Sequence, residues 1–292
     1  LKALADYFTE QNQQEKALGL LIRIKDYENA MKICENYKVK ISTETANAIL
    51  ADLDKEKDNK IKQELTTRLA KLLMSQGEFE IAHDIYVKVG NLKKAMKCYI
   101  KMGNKAKVIE FAHMCRNQEL YILAANFLEN LDWTPDVIKI IVSFFNKAKA
   151  YFNLCQFYMI LGSTEINEKR NFQSGEQYLK EAMKTVLKVR GDDEKKNNKI
   201  DEIKGKLDFI EKLNEMNEKL KSGNAPLALD KCKELLSIPN REDILGDKDI
   251  YGFMFKIHFS QKDYQNAFLV LEDCRMNKKM TNIVPKNLIQ ET

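Results

Sequence analysis

Three histidines and six cysteines are the side chains of this 292-residue chain best suited to acid-base, nucleophilic or metal chemistry, and their spacing assembles none of it. His83, His113 and His258 lie far apart, and none has a second histidine three or four residues away, the separation that would put two imidazoles on one helix face. His113 and Cys115 are two apart, which on a helix points them to different faces and argues against a zinc pair. No cysteines form a Cys-x-x-Cys pair, a usage that fits a reducing compartment and thiols that pack as small hydrophobes. Asp192-Asp193 begins like an aspartate-rich cation-binding motif, but Lys196 stands where a third acid is needed. No phosphate-loop, dinucleotide or nucleophile-elbow pattern occurs either. The reading is of a chain without catalytic residues, metal, cofactor or small-molecule substrate, and so not an enzyme.

The elements that carry these residues repeat. Gly77-Glu78-Phe79-x-x-Ala82-x-x-x-Tyr86 is followed by Gly90-Asn91-Leu92-x-x-Ala95-x-x-x-Tyr99 and then by Gly103-Asn104-Lys105-x-x-Val108-x-x-x-Ala112, each glycine 13 residues after the last. A period that short fits one helix of about ten residues, roughly 15 Å long, plus a tight turn. Glycine supplies the left-handed conformation that ends a helix, and the small residue five positions on lets the next helix lie close. The frame recurs without the glycine at Asn12, Gln14, Ala17, Leu21 and at Lys25, Tyr27, Ala30, Cys34, and appears again at Gly223, Ala225, Ala228, Cys232 and at Lys262, Tyr264, Ala267, Leu271. Cys34 and Cys232 share the ninth position after the turn, and Cys115 and Cys274 the twelfth. The order matches the middle of a tetratricopeptide-type (TPR) repeat, whose usual unit is about 34 residues. The fold class is therefore all-α, a TPR-like α-solenoid of short antiparallel hairpins with irregular repeats. Ala17, Ala30, Gly77, Ala82, Gly90, Ala95, Gly103, Ala228 and Ala267 are its expected repeat-packing residues.

Composition narrows the partners. Lys and Arg number 48 against 43 Asp and Glu, a net of +5, with the signs interleaved along the helices, so no basic stripe suits nucleic acid. The apolar run from Val137 to Leu161 is interrupted by Lys139, Asn146, Lys147, Lys149 and Asn153, which argues for a buried helix pair and against membrane insertion. The chain opens at Leu1 without an initiator methionine or leader and reads as a piece of a longer protein.

Along the chain, Leu1 to Lys38 is expected to form three short helices with Leu4, Tyr7 and Phe8 inside the first. Val39 to Ile41 reads as extended, Ser42 or Thr43 as the cap of a helix burying Ala46, Ile49, Leu50 and Leu53, and Asp54 to Lys60 as a loop. Ile61, Leu65, Leu69, Leu72 and Leu73 then face inward. After the helix around Tyr121 to Leu131, Thr134 and Pro135 suit the cap and first position of the next. Trp133, the only tryptophan, is either a corner plug or an exposed partner anchor. Phe172, Gly175 and Leu179 give a degraded copy that closes at Val186. Gly191 to Lys199 lacks any apolar residue and reads as a mobile charged linker. A long amphipathic helix follows with Ile203, Leu207, Ile210, Leu213, Met216 and Leu220, then a stop at Pro239, a new helix from Gly246-Asp247, and an irregular tail from Asn277. The expected domains are a solenoid at 1–190, a linker at 191–199, and further hairpins with the tail at 200–292.

Three stretches match a known family: Leu4-Ala5-Asp6-Tyr7-Phe8 through Lys16-Ala17 to Leu21; Leu120-Tyr121 and Ala124-Ala125-Asn126-Phe127-Leu128 through Leu131-Asp132-Trp133; and Gly246-Asp247 through Tyr251-Gly252-Phe253 to Tyr264-Gln265 and Ala267. Together the chain resembles the C-terminal repeat region of the intraflagellar transport 140 family, core subunits of intraflagellar transport complex A. That resemblance implies two β-propellers ahead of a helical solenoid, work in retrograde ciliary transport with dynein, and passage of membrane proteins into the cilium. It further implies a non-enzymatic scaffold whose partners are the other complex A subunits, located at the cilium and basal body on the cytoplasmic side. Two other readings share the helical hairpins: a vesicle-coat solenoid of the clathrin or coatomer kind, and a peptide-binding TPR module in which Asn91, Asn104 and Lys105 fall at turns instead of on a groove.

Overall fold

The computed structural model describes residues 1–169, 171–191, 193–238 and 246–276, and these form sixteen α-helices and no strand. They fall into two compact units, Leu1–Lys149 and Ala150–Thr292. The first holds α1 (Lys2–Glu10), α2 (Gln14–Arg23), α3 (Tyr27–Tyr37), α4 (Thr43–Leu53), α5 (Asn59–Gln76), α6 (Phe79–Lys88), α7 (Leu92–Lys101), α8 (Lys105–Cys115), α9 (Gln118–Leu128) and α10 (Pro135–Lys147). The second holds α11 (Tyr151–Asn167), α12 (Phe172–Val186), α13 (Asp193–Lys221), α14 (Ala225–Ser237), α15 (Asp247–Ser260) and α16 (Tyr264–Met276). Within each unit the substantial contacts join helices one or two apart in the chain, which makes this the TPR-like, all-α solenoid architecture.

Many joints between helices are a left-handed residue, and at Lys25, Gly90, Gly103, Arg116, Gly223 and Lys262 a capping side chain follows it. At Gly90, φ is +74°; its N–H donates to the Val87 carbonyl at 3.0 Å and the Asn91 N–H to the Tyr86 carbonyl at 2.8 Å, satisfying two carbonyls that α6 leaves open. The Asn91 side chain then accepts the Lys94 N–H at 3.2 Å and starts α7. Gly77 and Gly103 repeat the conformation, and the frame holds it where glycine is missing: Asn12, Lys25 and Lys262 have φ of 56°, 59° and 59°. Two further members were not expected. Lys38 and Arg116, each 13 residues after a known turn, stand at φ 55° and 49°. A left-handed L-residue costs about 1–2 kcal/mol, and a cation at a helix C-terminus recovers part of that from the dipole.

In the first unit Ala17, Ala30, Ala82 and Ala95 are wholly enclosed. A second repeated contact reinforces the joints, because Lys16, Lys94 and Lys107 place Nζ 5.6, 5.5 and 5.5 Å from the ring centres of Phe8, Tyr86 and Tyr99, in each case the aromatic eight residues earlier. Ser42 caps α4, accepting the Thr45 N–H, and the non-helical stretch before it is pinned by one side chain: Gln76 accepts from Ile41 N–H at 3.0 Å and donates to the Val39 carbonyl at 2.9 Å. The core includes Leu69, Leu73, Tyr86, Phe144 and Phe145. Some expected inward residues face out. Leu4 and Tyr7 are 43% and 54% exposed, because α1 packs substantially on α2 alone and turns Ala5 toward it. Ile61 is exposed and Leu50 half-buried; burial along α5 begins only at Thr66.

In the second unit α11 and α12 approach unusually closely. A Cβ added to Gly175 would fall 2.4 Å from Ile166 Cγ1 and 3.1 Å from the Gly162 carbonyl, so two glycines permit this contact where the frame elsewhere uses alanine. The charged stretch at 191–199 is not a linker: Gly191 turns the chain at φ 75° and α13 begins at Asp193, running 29 residues. Its first turns hold without apolar residues because Lys196 Nζ donates to the Val189 carbonyl at 3.0 Å and Lys199 pairs with Glu202 at 2.7 Å. Since α12 and α13 pack together, the division between units lies at 149–150 and not at 191–199. Ile203, Phe209, Ile210, Leu213 and Met216 are buried, whereas Leu220 is exposed. Gly223 and Asn224 start α14, which encloses Ala228 and Cys232; Ala267 of α16 is also buried. Pro239 and the tail from Asn277 lie outside the described residues.

Overpacking at the α11–α12 contact predicts that Gly175→Ala destabilises the chain by about 1–3 kcal/mol. Gly205→Ala, where nothing lies within 4 Å and the glycine interrupts α13, should stabilise it by up to about 1 kcal/mol. Urea titration of both variants checks the pair.

Candidate protein-interaction surface

The groups with chemical potential are dispersed and mostly inert. Among the described residues no three His, Cys, Asp or Glu side chains converge as a metal site would require. Asp192 lies outside the described residues, and Asp193 opens α13. His258 Nδ1 lies 3.2 Å from Asp263, the residue that starts α16, and His113 packs its ring 5.0 Å from Phe144. Burial, aided by Lys147, holds His113 below the usual imidazole range. Burial likewise pushes the Cys34, Cys98, Cys155 and Cys232 thiols up to about 11, so they are protonated packing groups.

The residues that do converge come from three successive helices. His83 of α6 stacks on Tyr99 of α7 at 3.8 Å between ring centres, and Phe111 of α8 meets both edge-on, at 4.9 and 5.8 Å. The rings line a recess of about 300 Å³ completed by Asp84, Val87, Lys107, Glu110 and Met114. Val87 is 40% and Met114 72% exposed, an apolar rim on open surface. His83 itself is buried, and its Nδ1 lies 3.1 Å from the Ala95 carbonyl. A carbonyl only accepts, so Nδ1 carries a proton, and in the neutral ring Nε2 is left as an acceptor. Lys107 lies over Tyr99 and pairs with Glu80 at 2.7 Å, which holds the Glu80 carboxyl below its ordinary range. Burial chiefly, with Asp84, Glu80 and Glu110 nearby, raises the Tyr99 phenol. Sequence spacing missed this cluster because its members stand six, nine and eight residues after their own turns, sharing no register.

The residues singled out from sequence lie elsewhere. The repeat-packing alanines are interior and the three glycines sit in the joints. Trp133, half-buried between α9 and α10, donates Nε1–H to the Glu129 carbonyl at 3.0 Å. Asn91 and Asn104 cap α7 and α8, and Lys105 opens α8. A larger recess of about 370 Å³ beside Asn91 and Asn117 is already satisfied: both asparagines accept backbone N–H groups, and Lys93 pairs with Glu119 at 3.3 Å. Of the adjacent Lys93 and Lys94 on α7, only Lys93 is exposed; Lys94 is half-buried over Tyr86.

Lys93→Glu should therefore leave the melting temperature within about a degree, whereas Lys94→Glu should lower it by several degrees, the scale of about 1 kcal/mol in a domain of this size; differential scanning calorimetry separates them. In native alkylation at pH 8, Cys115, the half-exposed thiol, should react well before Cys34, Cys98, Cys155 and Cys232. A folded pKa raised above the unfolded value stabilises below the unfolded pKa, so the buried thiols' contribution should fade as pH rises from 9 through about 11. Denaturation midpoints across that window read the sign.

Two family models match the chain in tandem. The TPR domain common to intraflagellar transport proteins 140 and 172 covers residues 1–144, and the C-terminal TPR domain of intraflagellar transport protein 140 covers residues 153–275. The junction between them brackets the division between the two compact units at 149–150. Both models describe helical repeats, as do the joints and neighbour-to-neighbour packing above. No described helix is long and apolar enough to cross a membrane. With both repeat domains present in order, the chain belongs to the intraflagellar transport 140 family, as its TPR region.

Proposed function

We propose that this chain is a non-enzymatic scaffold that binds the other subunits of intraflagellar transport complex A, and through them serves retrograde ciliary transport and the passage of membrane proteins into the cilium. The tandem match to the two repeat domains of the intraflagellar transport 140 family, in order and nearly end to end, carries this reading. Stacked helices support it physically, since they present broad, shallow surfaces suited to protein partners. In this reading the repeat-packing residues hold the frame, while Trp133 and the aromatic recess of α6 to α8 offer anchors for partners. The chain works at the cilium and basal body on the cytoplasmic side, in a reducing environment that keeps its cysteines as thiols. It takes no small-molecule substrate and contacts neither nucleic acid nor the membrane interior.

The test is capture of recombinant complex A subunits by the tagged chain, with crosslinking mass spectrometry to place the contacts. Capture of at least one subunit is expected, and Trp133→Ala should weaken it by roughly tenfold or more, as loss of a tryptophan hot spot does. If the folded chain captures no subunit, the scaffold reading fails; if Trp133→Ala binds as the parent does, Trp133 is a corner plug only.

A further inference from the structure

We infer that the recess formed by His83, Tyr99 and Phe111 is a docking pocket for an arginine side chain presented by a protein partner. The inference deepens the scaffold reading and rests on it for the identity of the partner as a protein.

Four features select the occupant. The floor is aromatic, three rings in mutual contact, and planar guanidinium groups stack on such faces. The rim is apolar at Val87 and Met114, which suits the methylene stem of a long side chain. Asp84 and Glu110, both exposed and both lining the recess, form no hydrogen bond or ion pair with any described residue; Lys107 acts on Asp84 only at longer range and is itself paired with Glu80, which leaves both carboxylates open to a second cation. The fourth feature is independent of the acids. His83 is only 5% exposed, and with Nδ1–H committed to the Ala95 carbonyl, its Nε2 acceptor has no partner among the described residues. A buried acceptor left unmade carries a penalty that an incoming N–H donor removes.

Apart from the Tyr99 hydroxyl, which can donate or accept, the polar groups lining the recess that lack a partner all accept: Asp84, Glu110 and His83 Nε2. An acidic or phosphorylated partner would be repelled by Asp84 and Glu110, and a purely apolar one would leave both acids and Nε2 unmet. Lysine would supply charge but not the flat, forked donor set that can reach several acceptors while lying against a ring. Lys107 already shows the chemistry in part, since its Nζ sits over Tyr99 while Glu80 neutralises it from outside the recess.

The test uses the whole chain labelled with 13C at methionine and valine methyl groups, titrated with N-acetyl-arginine amide and, separately, with the uncharged isostere N-acetyl-citrulline amide. The Met114 and Val87 signals should shift saturably with the arginine probe and not with citrulline. In the double variant Asp84→Asn, Glu110→Gln, the arginine affinity should fall by at least about tenfold, while methyl signals away from the recess stay in place. Each single variant should show a smaller loss in the same direction. Equal responses to the two probes, no saturable shift, or undiminished affinity in the double variant would overturn the proposal. Subunit capture by the parent chain, measured alongside, keeps the two readings apart. Capture without arginine binding removes the pocket and leaves the scaffold; arginine binding without capture does the reverse.

Discussion

Everything in this protein depends on a reversal of chain direction that recurs at 13-residue spacing in its regular stretches, achieved by one residue held in the left-handed region. Without it the helix would continue, its terminal carbonyls would go unpaired, and no hairpin could close. The N–H groups donated back at these joints, and at six of them the asparagine or aspartate that follows (Asp26, Asn91, Asn104, Asn117, Asn224 and Asp263), turn a local strain into a defined exit angle. Alanine five residues later then sets how near the next helix can come. Aromatic rings covered by a lysine across the joint recur with the same spacing at three joints, and at Gly90 and Gly103 the turn, the asparagine cap and this contact coincide.

Such a frame is legible in sequence when its residue types are restrictive. Gly77, Gly90 and Gly103 announce themselves, and the alanines that follow confirm the register. Lys38 and Arg116 did not stand out, because a basic residue is allowed almost anywhere and only its φ reveals the turn. The stretch at 191–199 misled for a related reason. Lack of apolar residues usually means lack of structure, yet here Lys196 reaches carbonyls beyond the end of α12 and Lys199 pairs with Glu202, contacts that no hydrophobic pattern encodes. Leu4, Tyr7 and Ile61 show the complementary limit: periodicity identifies an apolar face but not what covers it.

The aromatic recess was the least legible part. Its members belong to different repeats at different offsets, and three-dimensional stacking alone brings them together. A histidine that sequence arithmetic dismissed as isolated is the residue around which the rings gather, because its proton is fixed by a backbone carbonyl and its other nitrogen is not. Its place in the cluster depends on neighbours sixteen and twenty-eight residues away.

The choice of residue at the joints has one more consequence. Five of the six non-glycine residues with positive φ are lysine or arginine, namely Lys25, Lys38, Arg116, Lys149 and Lys262, and all five side chains are exposed. Proteases that recognise basic side chains need a few residues of backbone that can be drawn out of a helix, and a corner yields more readily than a helix interior. Where the turns of this chain lack glycine, they are thus written mostly in the alphabet that trypsin reads.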